Sequence, residues 1–408
     1  MDATTQQTTQ LLSRLIEFPS ISSTSNRRIS DDIAGFLNEM RFSVEETSYV
    51  DDAGVQKVNL VACRYPGTDF DQVGGLAYFA HSDVVPVPTW TGPKNENQSG
   101  ANQSGGNQTG ANQTETNAAF DPVLSGDRLY GRGACDMKGS IATMLTAAAS
   151  ISIDEQTRPL WIVCTADEEV GFDGAKHLVK HSAAYRDIVR AQPIAIIGEP
   201  TELNVVHAHK GITGFEVTSH GRSAHSSTDD GINANEALMP ILQLVEEINQ
   251  ATRRDTEYHD PRFDPPHLSW NYGIRNSESA INITTQQASV WVTLRTMPAI
   301  DGQDLIERVR HKAAELKLDF KLYDGGSPVW IDANQPFIDE LCQMTHTSPQ
   351  VVCYGTDGGE FSELGRRVVL GPGSIEQAHT SDEWISLDQL KAGTALYADL
   401  IRRYCCQA

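Results

Sequence analysis

The sequence predicts an α/β fold with a mainly parallel sheet, into which a second domain of α+β type is inserted. Short, continuous apolar runs are typical of strands that are buried on both faces of a sheet. Such runs occupy residues 60–63, 76–80, 160–163, 194–197 and 368–370. Helical stretches such as residues 140–149 and 175–181 lie between several of them, as parallel connections require. Helical periodicity also marks residues 8–18 and 30–40, and Ser30 is the predicted N-cap of the second of these helices.

The inserted domain is predicted from a different order of elements between residues 204 and 323. That order is β-α-β-β-α-β, the ferredoxin-like pattern. The elements cover residues 214–219, 234–249, 268–274, 288–294, 304–316 and 319–322. The α/β pattern resumes after about residue 328, so we expect a first domain in two parts, residues 1–203 and 326–408, around an insert of residues 204–325.

Residues 92–118 form a separate insertion that contains the pentad repeat NQSGA-NQSGG-NQTGA-NQTET. This composition buries too little apolar surface to offset the entropy of ordering, so it predicts a disordered surface loop. We interpret the loop as a tolerated insertion. An interaction module built on the repeat is the alternative, and it predicts that deletion of the repeat destroys function.

Charge and cysteine content exclude several classes of protein. The formal net charge of −22 argues against nucleic acid as a partner, because its binding depends on lysine and arginine. The 7 cysteines are irregularly spaced without a C-x-x-C pair, which favours reduced thiols over a disulfide framework or a zinc ribbon. No secretory signal or membrane-length apolar run is present, so we expect a cytoplasmic protein without a membrane partner.

Metal-ligating residue types follow the predicted strands of the first domain. In open α/β sheets the carboxyl ends of the strands are where ligand sites form. Two histidines with three carboxylates exceed the needs of one catalytic zinc ion and suit two ions, zinc, cobalt or manganese, that share a carboxylate. The candidates are His81, Glu169, Glu199 and His379 after four strands, and Asp136 in a glycine-rich turn before a helix.

The segments around these candidates resemble a known family. They read His81-Ser82-Asp83, GRGACDMKG, Ala166-Asp167-Glu168-Glu169, GEPT and GPGSIEQAH. Together they resemble the acetylornithine deacetylase group of di-zinc aminoacylases, in a wider family with succinyl-diaminopimelate desuccinylases and carboxypeptidase-like metallohydrolases. EPTELNVVHAHKG and LGPGSIEQAHTSDEW are the segments most specific for that group. The resemblance covers nearly the whole chain and implies a di-zinc hydrolase domain with an inserted dimerisation, or lid, domain.

The resemblance also implies roles in the first domain. Two Zn²⁺ ions per subunit are expected, for which Co²⁺ could substitute, with Asp136 bridging them. The other ligands divide into His81 with Glu199 on one ion and Glu169 with His379 on the other. Asp83 would hydrogen-bond the far side of His81 and fix its tautomer. Glu168 would be the general base, and a cis peptide bond is implied after Asp136.

In the inserted domain the resemblance implies three further residues. His225 in GRSAHSS would stabilise the oxyanion across a dimer interface, so a homodimer is expected. Arg295 would bind the substrate carboxylate with its planar fork, and Asn282 would lie near the substrate. The loop Gly355-Thr356-Asp357 would approach the substrate.

The implied activity is hydrolysis of the amide bond of an N-acyl amino acid by a metal-activated water. N2-acetyl-L-ornithine is the first expectation, which gives L-ornithine and acetate in arginine biosynthesis. A succinyl-diaminopimelate desuccinylase, an aminoacylase or a dipeptidase is the nearest alternative, because these enzymes share the metal chemistry. A non-catalytic binding protein on the same fold is the alternative from a different class.

Overall fold

The computed structural model of this chain describes residues 1–95, 118–278 and 280–406. Contacts between residues group them into two compact units. The first unit comprises Met1–His207, Ile331–Gln350 and Thr356–Ala408, and the second comprises Ala208–Trp330 and Val351–Gly355. The pentad repeat falls between residues 95 and 118, so the predicted disordered loop lies outside the described residues.

The first unit opens with two helices. α1 (Ala3–Ile16) is capped by the carboxylate of Asp2, which accepts a hydrogen bond from Thr5 N. α2 (Arg27–Glu39) begins before Ser30, so the prediction that Ser30 is its N-cap is wrong. The Ser30 hydroxyl lies inside the helix and donates to the carbonyl of Asn26, at 3.0 Å.

Five strands follow, and after them helices and strands are interspersed. They are β1 (Ser43–Val50), β2 (Gln56–Arg64), β3 (Leu76–His81), β4 (Val123–Ser125), β5 (Arg128–Tyr130), α3 (Lys138–Ala149), β6 (Leu160–Thr165), α4 (Asp173–His181), α5 (Ala183–Ala191) and β7 (Ile194–Ile197). Every residue of β3, β6 and β7 is buried, in agreement with their continuous apolar sequences.

The second unit has the β-α-β-β-α-β order that the sequence predicts. β8 (Val206–His209) leads into it along the chain. Its further elements are β9 (Ile212–His220), α6 (Ala234–Arg254), β10 (Ser269–Asn276), β11 (Gln287–Arg295), α7 (Gln303–Glu315), β12 (Asp319–Gly326) and β13 (Val329–Trp330). The antiparallel order β10-β11-β9-β12 is ferredoxin-like, and α6 and α7 pack on the sheet around apolar residues such as Phe215 and Leu305.

The remaining elements complete the main sheet. They are α8 (Pro336–Thr345), β14 (Gln350–Val352) and β15 (Arg367–Val369), followed by β16 (Trp384–Ser386) and α9 (Leu387–Ile401). β16 does not join the main sheet but forms a small antiparallel sheet with β5 and β4. The strand order runs β1-β2-β6-β3-β7-β15-β8, and the four central strands from β6 to β15 are parallel. The outer pairs β1–β2, β2–β6 and β15–β8 are antiparallel. The predicted α/β fold with a mainly parallel central sheet is therefore confirmed.

α3 has buried side chains on all its faces because α1 and α9 pack against it. The start of α3 also lies close to the turn that precedes it, since a Cβ on Gly139 would lie 2.3 Å from the carbonyl oxygen of Ala134. α3 therefore holds the turn that precedes it. Among the residues that the structure describes, no helix combines the length and the apolar character that crossing a bilayer requires.

Candidate metal centre

The carboxyl ends of the central parallel strands converge on one edge of the sheet. His81 is the last residue of β3, Glu169 lies in a single helical turn, Glu168–Val170, after β6, and Glu199 follows β7. His379 follows β15 by a longer loop and has a positive φ of 64°. Because adjacent parallel strands end at the same edge, residues far apart in sequence meet here.

The five ligand candidates form two groups that share Asp136. In the first, His81 Nε2 lies 3.1 Å from Asp136 Oδ1 and 3.6 Å from Glu199 Oε1. In the second, His379 Nε2 lies 2.9 Å from Glu169 Oε2 and 3.4 Å from Asp136 Oδ2. Within each group the nearest ligand atoms lie within 4.8 Å of one another. Asp136 thus offers one oxygen to each group, the arrangement expected of a carboxylate between two cations.

The residues of both groups fit divalent metal ions. Imidazole nitrogen and carboxylate oxygen are suitable donors for zinc, cobalt or manganese. Glu169 Oε1 is buried and has no hydrogen-bond partner among the described residues. A buried anionic oxygen without a partner is costly, and a cation in this group would satisfy it.

The electrostatics of the centre also favour cations. Burial, with the charge of Asp136 beside it, raises the pKa of Glu199 well above its ordinary value, and burial together with Glu199 does the same to Glu168. Hydrogen bonds to Asp136 and Glu169 raise the pKa of His379 to about 10. Carboxylates crowded in this way retain protons unless other positive charge is supplied, so metal ions and protons compete for the centre.

Asp83 contacts His81, but not through its carboxylate. His81 Nδ1 donates to the main-chain carbonyl of Asp83, at 2.9 Å, whereas the nearest carboxylate oxygen is 3.7 Å away. Because a carbonyl only accepts, this bond fixes a proton on Nδ1, so that in the neutral imidazole Nε2 is the nitrogen that can bind a metal ion. The Asp83 carboxylate instead accepts from the main-chain N–H groups of Glu168 and Glu169, at 3.2 and 3.4 Å. Asp83 therefore contacts His81 through its main-chain carbonyl, and its carboxylate holds the helical turn of the two glutamates.

Asp167 bends the chain just before that turn. Its φ of 56° is left-handed, a conformation that Asp tolerates better than most residues. Lys57 Nζ donates to one carboxylate oxygen and Tyr49 Oη to the other, each at 2.7 Å. Neither Lys57 nor Tyr49 was predicted from the sequence, although a lysine within the largely apolar sequence of β2 was a signal that could have found the buried pair.

Asp357 is a further buried acid in the first unit. It opens the helical turn Asp357–Gly359 and accepts a hydrogen bond from the hydroxyl of Thr165 at 2.9 Å. Burial raises its pKa to about 6. It belongs to neither ligand group.

The candidates in the second unit lie on its connecting loops and at a strand end. His225 is exposed, and its Nδ1 accepts from the main-chain N–H of Ser227 at 3.2 Å, which leaves Nε2 as the protonated nitrogen of the neutral ring; the Ser227 hydroxyl lies 2.7 Å from the same Nδ1. Asn282 lies on the neighbouring segment, where its carbonyl accepts from Ser226 N at 3.0 Å. Arg295 ends β11, and a Cβ on Gly355 would lie 3.7 Å from its Nη1. The segments that carry His225 and Asn282 thus lie side by side in this unit, and Arg295 lies near Gly355.

Comparison with known proteins places the chain among metallohydrolases. The model of peptidase family M20/M25/M40 matches residues 107–403. The acetylornithine deacetylase of Myxococcus xanthus is 31% identical over 406 residues, which cover 97% of this chain and 96% of that protein. The acetylornithine deacetylase of Vibrio atlanticus is 30% identical, with 96% and 97% covered. The resemblance carried by the sequence motifs is confirmed by these relatives.

Solved structures share the fold at lower sequence identity. Human carnosine dipeptidase 1 superposes with a TM-score of 0.71 at 16% identity and covers 97% of this chain and 96% of its own. A dinuclear metal-binding peptidase of the M20 family from Bacillus subtilis has a TM-score of 0.60 at 14% identity, with 98% of both chains covered.

Proposed function

The chain belongs to peptidase family M20/M25/M40, and on that premise we propose that it hydrolyses N2-acetyl-L-ornithine to L-ornithine and acetate with two zinc ions. The observation that supports this most directly is that Asp136 offers one oxygen to each of two histidine–carboxylate groups. The choice of substrate comes from the full-length relatives named acetylornithine deacetylase, at 31% and 30% identity.

The five side chains of the two groups would hold the cations. His81 and Glu199 would serve one ion, Glu169 and His379 the other, and Asp136 both. When bound, two such ions would polarise the amide carbonyl and lower the pKa of a water in the site towards about 7. Zinc suits this donor set, and cobalt could replace it.

Glu168 is the proposed general base. It adjoins a ligand candidate without belonging to either group, and Asp83 holds its main chain through the N–H. Burial raises the pKa of its carboxyl group, so proton uptake from water is easier than for an exposed glutamate. Glu168 would take a proton from the attacking water and transfer it to the leaving amine as the C–N bond breaks.

The second unit would supply the contacts to the substrate. His225 Nε2, protonated because Nδ1 accepts from the main-chain N–H of Ser227, would donate to the carbonyl oxygen as negative charge develops there. Arg295 would bind the α-carboxylate as a bidentate partner, with Asn282 beside the substrate. We also propose a homodimer in which His225 serves the site of the other subunit, on the resemblance of GRSAHSS.

A panel of substrates tests the assignment. The zinc-loaded protein is assayed for kcat/KM on N2-acetyl-L-ornithine, N-succinyl-diaminopimelate, N-acetylmethionine and carnosine. We expect the highest value for acetylornithine. A higher kcat/KM for one of the other three would replace the proposed substrate while keeping the reaction class, and no hydrolysis of any would remove the enzymatic proposal.

The role of Glu168 has its own test. Glu168→Gln keeps the shape and removes the base, so we expect kcat to fall about 10²- to 10⁴-fold while two metal ions per chain remain bound. The matched control is Glu39→Gln, the same change at an exposed position at the end of α2. Equal activity of the two variants would exclude Glu168 as the base.

A further inference from the structure

Two of the ligand candidates do not lie directly at the end of a strand of the main sheet. Asp136 lies in the turn between β5 and α3, and His379 lies in the loop between β15 and β16. Their separation must still be controlled, because both contribute to the group that contains Glu169. The segments that carry them meet at one buried ion pair, Arg132–Glu383.

Glu383 is fully buried, with 0% of its surface exposed. One carboxylate oxygen accepts from the main-chain N–H groups of Cys135 and Asp136, at 2.8 and 2.9 Å. The other accepts from Gly133 N at 2.9 Å and from Arg132 Nη1 at 2.7 Å. Glu383 therefore holds the main chain of the Asp136 turn by its own N–H groups, including that of Asp136 itself.

Arg132 connects the same turn to the His379 loop. Its second guanidinium nitrogen, Nη2, donates to the carbonyl of Thr380 at 2.9 Å, directly after His379. The planar fork thus reaches Glu383 with one nitrogen and the carbonyl of Thr380 with the other. Because His379 has a positive φ of 64°, a bond to the carbonyl of the next residue restrains the chain beside an uncommon conformation.

We infer that Glu383 and Arg132 are positioning residues that set the distance between Asp136 and His379, and hence the geometry of both metal groups. Neither residue touches the ligand atoms. Each acts through the main chain of a ligand-bearing segment. This inference rests on the proposed two-metal centre. Arg132 lies in the motif GRGACD and Glu383 in TSDEW, but neither was among the ligand candidates that the sequence predicts.

Glu383→Gln is the sharpest perturbation. Each carboxylate oxygen of Glu383 accepts two N–H groups. In glutamine one oxygen is replaced by an NH₂ group, so two of the four donors lose their acceptor whichever way the amide is turned. Cobalt binding to the metal-free protein is followed by its visible spectrum and by competition with a chelator, and thermal unfolding of the metal-free protein is measured in parallel. We expect about 10- to 100-fold weaker binding of both cobalt ions, with Glu39→Gln at the exposed end of α2 as the control at wild-type affinity.

Arg132→Lys separates the two metal groups. It keeps the charge but a single ammonium cannot reproduce the fork, so the bond to Thr380 or the bond to Glu383 is lost. We expect the weaker binding to be confined mainly to the ion held by Glu169 and His379. This variant also decides the question if Glu383→Gln does not fold.

The outcomes distinguish the inference from the proposed function. Wild-type protein that binds no cobalt and hydrolyses no N-acyl amino acid refutes the proposed function, and the inference falls with it. Wild-type protein that does both, with folded variants that bind cobalt as tightly as it does, overturns the inference alone. Lower thermal stability with unchanged cobalt affinity overturns it as well, because that is the result of a purely structural role.

Discussion

The buried pair of Lys57 and Asp167 gives the most direct test of how the turn of the two glutamates is held. Lys57 is 1% exposed, and its ammonium contacts the Asp167 carboxylate at 2.7 Å and the carbonyls of Ser22 and Thr24. Lys57→Met keeps the length and the apolar stem but removes the charge. The Asp167 carboxylate is then left in the interior with Tyr49 as its hydrogen-bond donor.

The charge state of the Asp167 carboxyl group sets how much Lys57→Met lowers the free energy of unfolding. Breaking a buried ion pair by removing one partner costs about 3–5 kcal/mol. The carboxyl can escape part of this cost by protonation, which costs about 1.4 kcal/mol for each unit of pH above its unfolded pKa of about 3.9. We therefore expect a loss of about 4 kcal/mol in the free energy of unfolding at pH 7 and about 1.5 kcal/mol at pH 5.

The assay is urea unfolding of the metal-free protein followed by circular dichroism at the two pH values. In the double variant Lys57→Met with Asp167→Asn, most of the stability should return, because asparagine carries no charge and tolerates the left-handed φ of 56°. Lys391→Met is the control: Lys391 is 64% exposed and pairs with Asp2, so its loss should cost less than about 1 kcal/mol.

Two results would refute this reasoning. A loss below about 1 kcal/mol for Lys57→Met at pH 7 would mean that the buried pair contributes no more than a surface pair. A double variant as unstable as Lys57→Met would place the cost in the lysine's other contacts rather than in the stranded Asp167 carboxylate.

Two further predictions concern Asp357 and the dimer. In the metal-free protein, burial raises the pKa of Asp357 from 3.8 to about 6, so the folded state binds the extra proton and wild-type stability falls as pH rises from about 4 to 6. Asp357→Asn cannot ionise, so its stability relative to wild type should rise by about 3 kcal/mol across that window in urea unfolding, and a pH-independent difference would contradict this. If His225 serves the other subunit, inactive Glu168→Gln and His225→Ala chains should regain activity when they are co-expressed, because one site of the mixed dimer then has both residues. Activity no higher than that of the separate variants would instead assign His225 to its own subunit.

Local sequence determined much of the fold and the content of the site. Continuous apolar runs located the buried central strands, because burial on both faces leaves little room for polar residues. The β-α-β-β-α-β order between β9 and β12 could be predicted from the sequence as well, because strands and helices differ in the periodicity of their apolar residues. The strand ends then directed attention to His81, Glu169 and Glu199, because a parallel sheet gathers such ends at one edge.

Tertiary structure decided which atoms and which partners are used. The carbonyl of Asp83, rather than its carboxylate, accepts from His81, because the carboxylate accepts from the glutamate turn. Ser30 lies within α2 instead of capping it, because the helix begins at Arg27. No periodicity marks these choices, since each depends on contacts made after the segments pack together.

In the candidate metal centre, too, some features are encoded locally and others depend on tertiary packing. The sequence by itself determined the five ligand candidates and the edge of the sheet where they gather, because the residue types and the strand ends are encoded locally. Only the tertiary structure decided how Asp136 and His379 are held together, through Glu383 and Arg132. A buried carboxylate takes the donors that packing brings to it, and here those donors come from a turn roughly 250 residues earlier in the chain.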